Sequence, residues 1–272
     1  MEDMKDRLRT LTHDLMLIPG LSGHEGRVRR YLAARLDELR LAWHTDRLGN
    51  LIATIDGNPA VPRVMLFAHM DQLGFVVRKI EKSGLIRVER LGGVPEKALP
   101  SLPVLFCIGE GRDRLGLIAN KSHHATAPEE KYRVLPYAEL YIDAGLDSAD
   151  AVRAAGIEIG TPVVYEPKVL HLGPDRIAGT SVDDRAACAV VLEVARAFLG
   201  AAERPATSIV FSVQEEFNLR GAVVAAYALS PDIAIQIDLM LATDTPDMTT
   251  RANASSAAAP PWRCTASMAA AR

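Results

Sequence analysis

Leu8, Leu11, Leu15 and Ile18 recur at the spacing of one helical face, and Pro19-Gly20 closes the run, so the pattern predicts a first helix ending there. A second helix is predicted to follow. Ser22 and Glu25 are spaced as a capping box, and Val28, Leu32, Leu36 and Leu39 share an apolar face. Residues 41–57 then change period and alternate into a predicted hairpin, after which the short apolar run 63–69 reads as a buried strand that delivers His69. From about Gly74 to Pro167 the texture is different: short strand-like runs broken by Gly and Pro, with one helix near Ser148–Ala155. This predicts a small β-barrel or sandwich. Beyond it a helix is expected over 183–199, with Ala187, Val190, Val191, Val194 and Phe198 inward, then a strand over 207–214, a helix over 219–229 and a strand over 232–238. Because helix and strand alternate again, the first and third segments belong together. The expected architecture is α/β: an open mixed-sheet domain made of residues 1–73 and 168–250, an inserted β-barrel-like unit over 74–167, and an alanine-rich tail over 251–272. No internal repeat is present.

Composition narrows the partners. The 272 residues carry a formal net charge of −3, with 49% hydrophobic and 24% charged residues, and no basic block or stripe stands out, which argues against nucleic acid. Cys107, Cys188 and Cys264 are odd in number and form no Cys-x-x-Cys pair, so neither a disulfide framework nor a thiolate zinc site is expected. The N-terminus is charged and amphipathic and no apolar run approaches a membrane span, so a cytoplasmic protein with no membrane partner is expected.

Four stations carry chemistry: His69-x-Asp71, Asp183-Asp184, Glu215-Glu216 and Asp238. Three of them stand where an apolar run stops, which in an open α/β sheet is where such folds place their sites. A pair of divalent ions needs imidazole and carboxylate ligands with one carboxylate bridging, and His69, Asp183, Glu216 and Asp238 offer that set. Asp71 is placed to accept the other ring N–H of His69. Glu215, beside a ligand, would take the proton from the attacking water and pass it to the leaving amine. Each element alone has a bland reading: a turn histidine, a solvated helix start, or a helix cap. Asp238 is more telling, since a charge within an apolar strand is costly to bury without a partner.

The motifs PGLSGHE, DRLGNLIA, AHMDQLGFVV, SVDDRAA, QEEFNLRGA and IDLMLATDTP, spread over residues 1 to about 247, resemble the glutamyl aminopeptidase family of cocatalytic metallopeptidases, which includes tetrahedral, dodecameric aminopeptidases. That resemblance implies an enzyme that removes N-terminal residues from short peptides through water activated at a dinuclear site. It assigns His69 and Asp238 to separate metals, Asp183 to the bridge, Glu216 to the remaining shell and Glu215 to the general base. It further implies two divalent metal ions, zinc foremost with cobalt or manganese suited to the same ligands, a barrel-like insert that mediates dimerisation, and higher self-assembly. Two alternatives stay open: a deacylase or carboxypeptidase on a similar core, and a catalytically inactive remnant that keeps dimerisation. An endoglucanase activity, a label some family members carry, is not supported, because glycosidases ordinarily use two carboxylates without metal.

Other residues read as structural. His123-His124 is expected on a solvent-facing loop, Cys188 in the core, His13, His24, His44 and His171 in structural settings, and Arg220 paired with a carboxylate. The resemblance also implies a further histidine ligand and a glycine-rich turn after Asp238, yet no histidine follows Asp238, and residues 252–272 hold nine alanines in twenty-one positions with no strand or helix amphipathicity. Either a disordered tail or a one-base shift of reading frame near Arg251 accounts for this; third-base readings of Pro261 to Ala269 are compatible with a folded continuation.

Overall fold

The computed structural model describes residues 3–174 and 176–240 in full, and the backbone alone of residues 264–270. Helix α1 spans Met4–Met16 and α2 spans Gly26–Glu38. Strands β1 (Trp43–Thr45) and β2 (Leu51–Ile55) form the predicted hairpin, with Trp43 opposite Ala53, and β3 (Val64–His69) follows. The predicted capping box does not form. α2 starts at Gly26, no side chain caps it, and Glu25 is used elsewhere: its Oε1 accepts a hydrogen bond from the Gln214 amide at 3.1 Å.

Six strands come next: β4 (Gly74–Ile80), β5 (Ile86–Leu91), β6 (Pro103–Phe106), β7 (Arg114–Ala119), β8 (Tyr141–Asp143) and β9 (Pro162–Tyr165). Between the last two lies α3 (Ala149–Ala154), whose Ser148 cap accepts from the Ala151 amide. The remaining elements are β10 (Val169–His171), β11 (Ile177–Gly179), α4 (Val182–Gly200), β12 (Thr207–Ser212), α5 (Arg220–Leu229), β13 (Ile233–Leu239) and β14 (Cys264–Ala270).

The chain divides into two units, Met1–Ile18, Glu25–Asp71 and Lys168–Arg272 in one, Pro19–His24 and Gln72–Pro167 in the other. The segment Pro19–His24 thus groups with the insert, a membership the linear pattern does not suggest. Its cause is local: Ser22 N donates to the Gln72 carbonyl, Gln72 N to the Gly20 carbonyl, and Gly20 N to Gln72 Oε1.

In the α/β unit the sheet order is β1-β2-β12-β3-β13-β14. β3, β12 and β13 are mutually parallel in the centre, while β2 and β14 flank them antiparallel. Strand periodicity sorts the side chains. Leu51, Ala53, Leu66, Ala68, Ile209 and Phe211 belong to the main core with Leu15, Leu32, Leu36 and Val191, whereas Ile52, Met65 and Val210 join Ala225 of α5 in a smaller cluster. Each such fully buried large side chain stabilises by roughly 1.5–3 kcal/mol. Among the inward residues predicted for α4, Ala187 and Val191 are fully buried and Val190, Val194 and Phe198 pack partly. The alanine-rich tail, which carries no strand or helix amphipathicity, contributes β14, paired residue by residue along β13. An edge strand pairs through backbone groups, so it does not require an amphipathic sequence; of the tail, residues 251–263, 271 and 272 lie outside the described ones.

The other unit closes on itself in the order β4-β5-β8-β7-β6-β9, every pair antiparallel. Closure leaves no sheet edge. Phe75, Val77, Ile86, Val88, Val104, Phe106, Ile118, Ile142 and Val163 fill it. Gly116 is obligatory for that filling, since a Cβ there would stand 2.7 Å from the Phe106 ring. Among the described residues no helix is long and apolar enough to cross a membrane.

Candidate metal centre

The carboxyl ends of the three central parallel strands build the site. His69 is the last residue of β3 and is in register with Ser212, the last residue of β12, so Glu215 and Glu216 follow immediately beyond. On the other side Gln236 pairs with Phe67, and two residues further along each strand stand Asp238 and His69. Asp183 and Asp184 come from the start of α4, where both depart from helical backbone angles (ψ 109° and 37°), so the regular helix begins only at Arg185. The sequence stations therefore converge on one end of one sheet, as open α/β sheets favour.

His69 is almost fully buried. Its Nε2 faces Asp183 Oδ1 at 3.0 Å and Glu215 Oε2 at 3.7 Å; its Nδ1 donates to the Asp71 carbonyl oxygen at 3.1 Å and lies 3.4 Å from Asp71 Oδ1. The expected Asp71–His69 contact is thus shared between the carbonyl and the carboxylate. Most of the Asp71 carboxylate serves another purpose: Oδ1 and Oδ2 accept the amides of Glu215 and Glu216 at 2.9 and 3.0 Å. Asp184 is buried, with Oδ2 accepting from the His69 amide at 3.3 Å and Oδ1 without a partner. Asp238 accepts from Gln236 Nε2 and from the Leu239 amide.

Ligand atoms fall into two groups, each gathered within 4.8 Å: His69, Glu215 and Asp238, and Asp183, Asp184 and Asp238. Asp238 is common to both. Glu216, the expected ligand, belongs to neither, and its neighbour Glu215 stands in its place.

The electrostatics fit a cation. Burial pushes the Asp184 carboxyl up to about 9, with the charges of Asp238 and Asp183 adding to it. Burial likewise lifts Glu216 to about 7 and raises Glu215, each helped by neighbouring carboxylates. For His69 burial opposes the charged ring, but hydrogen bonds to Asp183 and Asp71 outweigh it and hold the imidazole well above its usual value. Carboxylates crowded so closely repel one another, and an orphaned buried oxygen on Asp184 has lost its solvation; a divalent ion relieves both. His69, Asp183, Asp184, Glu215 and Asp238 are the residues that could hold one.

The linear pattern left several supporting residues unassigned. Asn50, wholly buried, accepts from the Val213 amide (3.0 Å) and donates to the Gly221 carbonyl (2.9 Å) and to Asp46 Oδ2 (2.6 Å). Gly221 must be glycine, because a Cβ would lie 2.2 Å from the Val213 oxygen and 2.5 Å from Asn50 Oδ1. Arg185, fully buried, donates to the carbonyls of Leu15 and Ile18 at the end of α1, and burial lowers its guanidinium to about 10. Arg220, expected to pair with a carboxylate, stacks over the Phe217 ring at 4.2 Å instead. Cys188 is a core residue as expected; its thiol donates to the His69 carbonyl, and burial raises it well above its usual value. His123 and His124 are exposed, and His13 stacks on His171 at 6.1 Å.

Fold and site together define an α/β domain with a cluster of carboxylates and one imidazole at its strand ends that could hold a cation. Residues 49–258 match the family described as M42 glutamyl aminopeptidase, and the chain belongs to that family. It is similar to SgcX of Escherichia coli (strain K12), with 39% identity over 231 residues that cover 84% of this chain and 61% of that one. Among solved structures it superposes on the aminopeptidase APDkam598 from the archaeon Desulfurococcus kamchatkensis with a TM-score of 0.81 and 31% identity, covering 90% of this chain and 66% of the other. It also resembles the TET1 peptidase of Pyrococcus horikoshii, which can assemble into a tetrahedron or a large octahedral shell (TM-score 0.76, 26% identity, 87% and 68% covered). The chain thus spans less than two thirds of the length of SgcX.

Proposed function

We propose that this chain acts as a metal-dependent aminopeptidase that removes N-terminal residues from short peptides. The convergence of His69, Glu215 and Asp238 with Asp183 and Asp184 at the ends of parallel strands is the observation that supports it most directly. Two divalent ions, zinc foremost with cobalt or manganese suited to the same donors, would be held by His69, Asp183, Glu216 and Asp238. When bound, they supply Lewis-acid polarisation of the scissile carbonyl and a more acidic water. Glu215 takes the proton from the attacking water and returns it to the leaving amine. Its position, half-buried and raised above the usual carboxylate range, suits a group that must both accept and release a proton. Asp71 holds the His69 ring and the backbone of Glu215 and Glu216 in place.

Because Glu215 rather than Glu216 joins His69 and Asp238 in the structure, the two roles need separating. In Glu215→Gln, turnover of an aminoacyl chromogen is expected to vanish while calorimetric zinc binding persists; in Glu216→Gln, zinc affinity is expected to fall. Loss of zinc from the Glu215 variant alone would exchange the two assignments. A wild-type chain that binds no zinc would remove the metal reading altogether. Self-assembly, through the barrel as dimers and then a dodecamer, belongs to the same proposal, as does a cytoplasmic location; the assembling TET1 peptidase supports only that such chains assemble. Sedimentation of the purified chain checks the first.

A further inference from the structure

We infer that Glu25 and Asn50 are positioning residues for the site carboxylates, acting through the backbone of the loop that carries Glu215 and Glu216. Four consecutive amides leave β12 with no strand partner to take them, and each is received by a side chain from a distant segment. Val213 N goes to Asn50 Oδ1 (3.0 Å), Gln214 N to Glu25 Oε1 (3.1 Å), and Glu215 N and Glu216 N to the two oxygens of Asp71 (2.9 and 3.0 Å). The acceptors are themselves buried: Glu25 is 4% exposed and Asn50 and Asp71 are at 0%.

The loop needs such holding. Gln214, Asn218 and Leu219 all adopt left-handed backbone angles (φ 53°, 69° and 55°), which non-glycine residues avoid unless the surroundings impose them. Asn50 grips the loop at both ends, through Val213 N and the Gly221 carbonyl, and is anchored in turn by Asp46, whose Oδ1 collects the amides of Leu48, Gly49 and Asn50. A carboxylate side chain on such a loop points where its backbone points, so releasing Gln214 or Val213 frees Glu215 and Glu216 together. The functional half of the inference rests on the metal-centre reading; the structural half does not.

The test uses the whole chain and cobalt as the probe. Hydrogen exchange, read by mass spectrometry, follows the amides of residues 213–216, and the cobalt absorption spectrum follows the site. Glu25→Ala and Asn50→Ala are expected to speed that exchange at least about tenfold and to weaken cobalt binding about 10–100-fold with an altered spectrum. Glu25→Gln keeps an acceptor oxygen and is expected to restore both. Leu36→Ala, a core variant that removes none of the three acceptor side chains, is expected to lower the melting temperature yet leave exchange at 213–216 and the spectrum unchanged. Should Glu25→Ala fold poorly, Glu25→Asp withdraws the acceptor by one methylene and is expected to shift both readouts in the same direction. Wild-type exchange at 213–216 in both alanine variants, or an equal shift in Leu36→Ala, overturns the inference. If the wild-type chain binds no cobalt, the metal reading fails and the exchange result alone decides the clamp.

Discussion

Among the described residues the barrel unit buries no charged side chain, only Ser22, Gln72 and Thr161, whereas the α/β unit buries Glu25, His69, Asp71, Asp184, Arg185 and Glu193. The two units solve the same folding problem differently. A closed antiparallel barrel satisfies its own backbone and fills its interior with apolar side chains, so its charges stay in water. The open sheet ends in unpaired strand termini, and there the chain collects ionisable groups that cost stability unless each finds a partner. Four of those six find theirs within the protein's own framework: Glu25 and Asp71 on loop amides, Arg185 on the end of α1, Glu193 on arginines. Asp184 is met only in part, its Oδ2 by the His69 amide while Oδ1 has no partner, and it lies where the ligand atoms gather. An orphaned carboxylate oxygen crowded by other carboxylates thus sets Asp184 apart from the groups whose charge is met within the fold.

The largest expected effect breaks the comparison at that point. In the metal-free protein the Asp184 carboxyl titrates at about 9 instead of 3.8, mainly because it is buried. A raised carboxyl binds its proton more tightly when folded, so its contribution is favourable at acid pH and is lost progressively as pH rises from about 4 towards 9. Denaturation of metal-free wild type against Asp184→Asn across that range is expected to show the variant gaining on the wild type as pH rises, by on the order of several kcal/mol over the window. Parallel pH profiles would place a hidden partner on Asp184 and remove it as the distinguishing group. Next comes Phe106→Ala in the barrel core, expected to cost about 3–5 kcal/mol in urea denaturation. Its cobalt affinity is expected to match the wild type; a loss of affinity would mean that the barrel does more than support itself.

These contrasts were only half visible in the linear pattern. Apolar runs and helical spacings located the strands of the parallel core and marked residues 74–167 as a β-rich unit, because burial writes itself into adjacent positions. His69, Glu215 and Asp238 were legible for a related reason: each ends an apolar run, and strand ends meet in a parallel sheet. Glu25 was misread as a local cap because its partner, the Gln214 amide, lies 189 residues away. Asn50 escaped in the same way, and Asp71 was legible only as a partner of His69 and not as the acceptor of the Glu215 and Glu216 amides, since a side chain bound to distant backbone leaves no periodic trace. Charge suggests charge, so the sequence pairs Arg220 with a carboxylate; its partner in the structure is the Phe217 ring, three residues before it.

A smaller effect sharpens the account of charges kept for the fold. Glu193 accepts a bidentate hydrogen bond from Arg7 of α1, with Nη2 at 2.6 Å, and another from Arg196. Burial alone would raise its carboxyl, but those guanidinium groups hold it below the usual range. A depressed carboxyl stabilises fully above its unfolded value near 4.5, and that stability is lost as pH falls through the lower folded value. Glu193→Gln is therefore expected to cost about 1–2 kcal/mol at pH 7 and progressively less below pH about 4.5. A pH-independent loss would assign the effect to packing of α1 on α4 rather than to charge.

The smallest effect lies on the barrel side. Lys121 Nζ meets Glu130 Oε2 at 2.6 Å, a short distance, but the two side chains are 50% and 44% exposed. Water solvates both partners whether or not they touch, and ordering two long side chains offsets the attraction, so geometry here carries little weight. Lys121→Ala is expected to move the thermal midpoint by less than about 1 °C, and the same null result is expected at high salt. A larger, salt-sensitive drop would show that this pair fixes the segment between β7 and β8. Charge would then hold structure in the barrel as it does between α1 and α4, and the contrast between the two units would be one of degree.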